Sequence, residues 1–280
     1  MTLKLATADY SFPLLEWEQT LRLARDLGMQ GIDISLFQGR SQLKPDEILA
    51  NPSKSAARIF AAVEAQGLEI ADIFGQPGKS FHENAPNDPD EVVRKRAGEF
   101  FYRILEFTTR CNGKHVTILP GVHFERESYA DSFERCADEL AWRCEAAAKV
   151  GVRFAVEAHL GSIVPTPEDA QKLLDRVPGL TLTLDYGHFT YQGIPDDRIE
   201  PLMSRASHFH ARCARKERLQ APLKENTIDF PRIVQAMRRE RYSGFVAIEY
   251  VWIDWEHCNE VDNLSETILL RDLVRAAMAE

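Results

Sequence analysis

The sequence has few features of a membrane-bound or secreted protein. Its 280 residues include no apolar run long enough to cross a bilayer. The segment from residue 1 to residue 10 has one lysine and no long apolar stretch, so it does not resemble a signal peptide. The five cysteines form no CxxC pair, and their odd number favours reduced thiols over a disulfide framework. We therefore expect a cytoplasmic protein that does not associate with membranes.

Positive charge and phosphate-binding motifs are also scarce. Lysine and arginine number 34 against 43 aspartates and glutamates, which gives a net charge of −9. An acidic surface repels phosphate backbones, so general binding of nucleic acid is disfavoured. There is no Walker motif, and the segment from Ala8 to Pro13 after the first predicted strand contains no glycine. This argues against an open doubly wound sheet, which carries a glycine-rich phosphate loop at that point.

What the sequence does contain is a regular alternation of short apolar runs and longer amphipathic stretches. One such stretch places apolar side chains at helical spacing between Phe230 and Met237. Eight such strand–helix units in one chain of this length, with no linker between them, predict an α/β fold. We expect a single (β/α)₈ TIM barrel domain over residues 1–280. The predicted strands are Leu3–Thr7, Gly31–Leu36, Leu68–Phe74, His115–Leu119, Arg153–Glu157, Leu180–Asp185, Ala206–His210 and Phe245–Glu249.

Local signals mark several helix boundaries. Thr166 followed by Pro167 is a strong helix start, because threonine caps the first turn and proline suits the first helical position. Gly67 and Gly151 each follow an amphipathic stretch and predict a helix end.

Ionisable side chains stand at the ends of four consecutive predicted strands. These residues are Glu157, Asp185, His210 and Glu249. In such a barrel the carboxyl ends of neighbouring strands meet at one mouth, where reactive residues collect. Three carboxylates there would repel one another unless a cation intervened. Oxygen and nitrogen ligands together predict a site for Mn²⁺ or Mg²⁺, with Co²⁺ and Zn²⁺ as alternatives.

Four further histidines lie close to the predicted strand ends. His188 is either a further ligand or a group that hydrogen-bonds the substrate. His159 is either a site residue or a loop histidine, and His123 either lines the pocket or lies in a surface loop. His208 is expected to be structural and to point away from the barrel interior.

Motifs around these strand ends resemble the metal-site motifs of the xylose-isomerase-like TIM barrels, a superfamily that includes sugar isomerases, ketose 3-epimerases and endonuclease IV. The motifs are Glu157-Ala-His159, Asp185-Tyr-Gly-His188, Phe209-His210-Ala-Arg212 and Ile248-Glu249. The resemblance covers essentially the whole chain, and the single-metal ketose 3-epimerases are the most similar pattern. It implies that Glu157, Asp185, His210 and Glu249 hold Mn²⁺, that the two glutamates exchange protons with the substrate, and that His188 binds substrate oxygens.

The loop after His210 departs from that pattern. Many relatives continue with a Lys-Asp pair, whereas this chain has a dense basic run from Ala211 to Arg218. Arg212 and Lys216 are therefore candidates to bind an anionic substrate group, either a carboxylate or a phosphate. The alternative is a solvated loop whose charges pair with one another.

The resemblance implies an isomerase or epimerase that acts on a small keto-sugar or sugar acid through a metal-bound enediolate. A metal-dependent lyase is the alternative: a decarboxylase, a dehydratase or another C–C or C–O cleaving enzyme acting on a keto-acid or 3-keto-sugar. An abasic-site DNA endonuclease is disfavoured, since Ser35, Leu36, Phe74 and Gly75 near the ends of the second and third strands supply no imidazoles. The expected partner is a carbohydrate-like small molecule, and relatives are often homodimers or homotetramers.

Overall fold

A closed barrel of eight parallel strands forms the centre of the computed structural model, which describes residues 3–279. Strands pair in chain order, and the last closes onto the first. The predicted (β/α)₈ barrel is therefore confirmed, while residues 1, 2 and 280 of the predicted domain lie outside the described part. The strands are β1 Lys4–Ala8, β2 Gly31–Phe37, β3 Glu69–Gln76, β4 His115–Ile118, β5 Arg153–Glu157, β6 Thr181–Asp185, β7 Ala206–Ala211 and β8 Phe245–Ile248.

Helices follow the strands and surround the barrel. They are α1 Trp17–Asp26, α2 Pro45–Ala50, α3 Pro52–Glu64, α4 Glu91–Arg110, α5 Tyr129–Lys149, α6 Pro167–Arg176, α7 Tyr186–Tyr191, α8 Asp196–Ile199, α9 Phe230–Arg239 and α10 Asn263–Ala279. The short helices α2 and α7 were not predicted. Helix α7 begins directly after β6, because the Asp185 carboxylate accepts the Gly187 N–H at 2.7 Å and caps it. No helix in residues 3–279 is long and apolar enough to span a membrane.

The predicted helix boundaries are confirmed. The Thr166 hydroxyl accepts the Asp169 N–H at 3.2 Å and donates to the Asp169 carboxylate at 2.6 Å, so it caps α6. Gly67 and Gly151 follow α3 and α5 with φ of +69° and +70°, a left-handed conformation that favours glycine. The five cysteines are all free and buried.

Polar side chains cross the inside of the barrel, where branched apolar layers are usual. His115 on β4 lies 2.7 Å from the Asp72 carboxylate on β3 and also 2.7 Å from the Ser207 hydroxyl on β7. The Thr117 hydroxyl on β4 bonds that of Thr183 on β6 at 2.6 Å. Partners on strands that are not neighbours can meet only across the barrel interior. The large apolar cluster instead joins the strands to the surrounding helices.

The cap of α6 can be tested by substitution. Thr166→Ala should lower the free energy of unfolding by about 1 kcal/mol, because the Asp169 N–H loses its acceptor. Thr166→Ser retains the hydroxyl and should keep most of that stability. Urea denaturation of the three proteins measures the effect, and an unchanged unfolding midpoint for Thr166→Ala would mean that the cap does not stabilise the helix.

Candidate active site

The four ionisable strand-end residues meet at the mouth of the barrel. Glu157, Asp185 and His210 lie at or near the ends of β5, β6 and β7, and Glu249 follows β8. All four are buried, and one ligand atom of each lies within 4.8 Å of the others. The His210 Nδ1 atom is 2.7 Å from Glu157 Oε1 and 3.4 Å from Glu249 Oε2. The structure thus brings the residues of the predicted metal site together, and we call them the quartet.

Burial sets the electrostatics of the quartet. Burial raises the pKa of Glu157 to about 7, although the hydrogen bond from His210 acts in the opposite direction. Burial alone would disfavour a charged His210, yet the carboxylates of Glu249, Asp33 and Glu157 raise its pKa well above the ordinary value. Burial also raises the pKa of Asp185 against the effect of Arg212. The quartet therefore favours any positive charge among its carboxylates, whether a proton or a metal ion.

The donor atoms of the quartet suit a divalent cation. The Oε2 atom of Glu249 is buried and has no hydrogen-bond partner within residues 3–279. The imidazole of His210 turns Nδ1 towards the carboxylates, while its Nε2 lies 3.4 Å from Asp33 Oδ2. A carboxylate behind the outer ring nitrogen is typical of metal-binding histidines. The quartet thus combines oxygen and nitrogen donors that could hold a divalent metal ion.

Asp33 was missed by the sequence analysis, and the orientation predicted for His208 was wrong. His208 and His210 are two residues apart on β7, so their side chains share a face of the strand. His208 is buried in the barrel, with its Nε2 atom 2.8 Å from Asp33 Oδ2. Burial opposes the charged form of Asp33, but the two imidazoles lower its pKa below the usual range. The sequence feature that points to Asp33 is a charged residue between Ile32 and Ile34 in a strand that is otherwise apolar at these positions.

Tyr10, just after β1, was also missed. Its hydroxyl donates to Glu249 Oε1 at 2.7 Å. Burial, followed by the charge of Glu249, raises the pKa of Tyr10 well above its ordinary value, so the phenol keeps its proton.

Three of the five predicted substrate-binding residues line a cavity above the quartet: Arg212, His188 and His159. The Arg212 guanidinium donates to the Asp185 carboxylate, and its Nη2 atom is 2.9 Å from His188 Nε2. Burial lowers the pKa of His159 to about 4. Burial and then the charge of Arg212 hold the pKa of His188 well below its usual range. Of these three residues, Arg212 supplies a fixed cation and the two histidines supply neutral imidazoles.

His123 does not lie in this cavity. It is exposed, and its Nε2 atom is 3.1 Å from the Glu127 carbonyl oxygen in the same loop. Of the two interpretations of His123, the surface loop is the one that the structure supports.

Lys216 does not line the cavity, which agrees with the solvated loop, one of the two interpretations of the basic loop. Its side chain packs against Gly193, where an added Cβ would lie 3.1 Å from the Lys216 Cδ. Arg215 and Arg218 pair with glutamates at 3.4 Å and 2.8 Å. Of the basic residues of this loop, only Arg212 lines the cavity.

The cavity has a volume of about 670 Å³. This lies within the range of roughly 300–1,000 Å³ that is typical of small-molecule sites. Aromatic side chains make up much of its wall: Tyr10, Phe37, Phe74, Phe81, Trp252 and Trp255. The quartet contributes Glu157 and Glu249 to its floor. A small molecule of moderate size can therefore enter and contact both glutamates.

The role of Asp33 in the fold can be tested without any ligand. Asp33→Asn removes the buried charge that faces two imidazoles, so it should lower the free energy of unfolding by about 3 kcal/mol. Asp26→Asn is the matched control, because Asp26 forms only an exposed ion pair with Arg25 at 2.7 Å. The control should change stability by less than about 1 kcal/mol. Equal urea midpoints for the two variants would rule out a stabilising Asp33–imidazole interaction.

Comparison with known proteins identifies relatives of this chain. The sequence profile of a family described as xylose isomerase-like TIM barrel matches residues 21–271. An Escherichia coli (strain K12) protein with the provisional name L-ribulose-5-phosphate 3-epimerase SgbU is 26% identical over 284 aligned residues, covering 95% of this chain and 93% of the relative. An inosose dehydratase of Clostridium perfringens (strain ATCC 13124) is 25% identical over 122 residues, covering 35% of this chain and 40% of the relative.

Solved structures show the same fold. The D-psicose 3-epimerase of Clostridium cellulolyticum H10, determined with D-tagatose, superposes with a TM-score of 0.77. It is 16% identical, and the match covers 99% of both chains. At this level of identity the likeness concerns the fold alone.

Proposed function

The chain belongs to the xylose isomerase-like TIM barrel family, and on that premise we propose that it is a divalent-metal-dependent isomerase or epimerase of a small keto-sugar or sugar acid. One observation carries the proposal. The buried quartet contributes both of its glutamates to the floor of a cavity large enough for such a molecule. The epimerase named among the relatives, which this chain matches over 95% of its length, supports the same reaction class.

The residues of the site would both hold the cation and move protons. Glu157, Asp185, His210 and Glu249 would hold the cation. A cation held there would polarise a substrate carbonyl and make the neighbouring C–H bond more acidic. One glutamate then removes a proton from that carbon and the other returns one. Because Glu157 and Glu249 come from strands separated by β6 and β7, they can contact different sides of the substrate.

Neighbouring residues would hold these groups in place. The Tyr10 hydroxyl orients Glu249, and Asp33 orients the His210 ring. Arg212 lies between the Asp185 carboxylate and His188, where its guanidinium is a fixed donor for substrate oxygens. The buried, neutral His188 can hydrogen-bond a hydroxyl without adding further charge.

A lyase is the second candidate, because an inosose dehydratase is among the relatives. Removal of a proton next to a carbonyl is also the first step of an elimination, in which a neighbouring hydroxyl then leaves. The two candidates share every residue named so far and differ in the product. Product identification after incubation with ketoses, keto-acids and their phosphates separates them.

Metal removal tests the first part of the proposal. Treatment with a chelator should abolish activity, and added Mn²⁺ or Co²⁺ should restore it and raise the melting temperature. Asp185→Ala should reduce the bound metal measured by elemental analysis, because it deletes one ligand. Asp138→Ala alters a side chain that is 71% exposed and should keep the parent's metal content. Equal metal content in Asp185→Ala and the parent would refute the assignment.

The two glutamates can be tested as acid and base. Glu157→Gln and Glu249→Gln retain the size and one oxygen donor but lose the basic carboxylate, so kcat should fall by about 10²–10⁴-fold. The exposed Glu99→Gln is the control and should leave kcat unchanged. In D₂O the parent should place deuterium on the carbon next to the carbonyl.

Two results would change this scheme. A product without solvent deuterium indicates an internal hydride shift or a shielded proton, and the two-base mechanism would then be abandoned. Loss of exchange in only one of the two glutamine variants would favour a lyase or a one-base isomerase.

A further inference from the structure

Two cationic side chains line the cavity in addition to Arg212. Arg40 follows β2 and Lys79 follows β3, and both face the same cavity as Glu157 and Glu249. Neither forms an ion pair with another side chain of residues 3–279. In a chain with a net charge of −9, two cations without carboxylate partners in one pocket are notable.

The Arg40 guanidinium is held by neutral groups. Its Nη2 atom donates to the Gln76 amide oxygen at 2.6 Å, and its central carbon lies 4.9 Å from the centre of the Phe37 ring. These contacts fix the plane of the group and leave its remaining N–H donors available. A guanidinium that is already oriented loses little freedom when it binds an anion.

Lys79 lies beside Arg40. The stem of Lys79 packs across Gly39, the residue before Arg40, where an added Cβ would lie 3.6 Å from the Lys79 Cγ. The two side chains therefore present positive charge at the same side of the cavity. An anion bound at this side of the cavity would be attracted by both charges.

The basic loop after β7 offers no comparable site. Arg212 already donates to the Asp185 carboxylate, and Arg215 and Arg218 are paired with glutamates. Lys216 does not line the cavity. The cationic side chains of the cavity that have no carboxylate partner in the described part of the chain, and so could bind an anionic group of a substrate, are Arg40 and Lys79.

A continuous wall joins these cations to the quartet. The Tyr10 hydroxyl contacts Glu249 at 2.7 Å, the Tyr10 and Phe37 ring centres are 4.9 Å apart, and Arg40 lies over Phe37. We propose that Arg40 and Lys79 form a subsite for a terminal carboxylate or phosphate of the substrate, whose keto end lies at the quartet. The substrate class is then an anionic ketose. The placement of the keto end rests on the proposed function.

Calorimetric titration of the metal-loaded protein with matched ligand pairs tests the subsite. Ribulose and ribulose 5-phosphate differ by a phosphate, and fructose and fructuronate differ by a terminal carboxylate. The parent should bind the anionic member of at least one pair about 10-fold or more tightly than the neutral one, as expected for charge-assisted hydrogen bonds. The preferred pair identifies the anion as a phosphate or a carboxylate.

Charge-neutral variants then locate the subsite. Arg40→Gln should reduce the anionic-to-neutral affinity ratio about 10-fold, and the double variant Arg40→Gln/Lys79→Gln should bring the ratio close to one. Affinity for the neutral sugar should stay within about 3-fold, since its contacts are untouched. Lys216→Gln removes the same charge from the basic loop and should keep the parent's ratio.

The subsite and the proposed function can fail separately. No discrimination by the parent in either pair, or an equal loss of ratio in Lys216→Gln and Arg40→Gln, would overturn the subsite while metal content and proton exchange still support the reaction. Conversely, a ratio that depends on Arg40 in a protein whose metal content is insensitive to Asp185→Ala would keep the subsite and reject the metal site.

Discussion

Repulsion among the carboxylates at the mouth of the barrel is the constraint on which the rest of the site depends. Glu157, Asp185 and Glu249 are buried together, where water cannot screen their charges. Each has a donor or a cation beside it: the His210 imidazole for Glu157, Arg212 for Asp185, and the Tyr10 hydroxyl for Glu249. His210 and Arg212 come from the end of β7 and Tyr10 from the segment after β1, so the closed barrel brings these partners to one place.

Orienting the His210 ring requires polar groups deeper in the barrel. Asp33 lies behind His210 Nε2 and is also bonded by His208, so one buried carboxylate faces two imidazoles. Burial of such groups is costly unless most of their polar atoms have partners. The barrel therefore carries paired polar side chains across its centre, and its apolar residues pack between the strands and the helices. Of these interior contacts, the one between Asp33 and His208 is connected to the mouth through His210.

The positions of the quartet could be predicted from the sequence because they depend only on where each strand ends. The same holds for the cap of α6, which is a local motif. The contact between Asp33 and His208 joins β2 and β7, which are not neighbours, so the sequence does not reveal that the two side chains meet. Arg40 and Lys79 lie in loops, whose paths strand and helix periodicity does not fix. The same holds for Lys216, which does not line the cavity.

The groups that hold each arginine of the cavity determine what it can bind. A carboxylate partner neutralises Arg212, so an anion could be bound there only in competition with Asp185. Arg40 is held instead by an amide oxygen and an aromatic ring, which fix its position without cancelling its charge. A glutamate in place of Gln76 would fix the guanidinium as well but would remove the attraction for an anion. Because Gln76 is neutral, the Arg40 side of the cavity attracts anions, whereas Glu157 and Glu249 keep the floor of the cavity acidic.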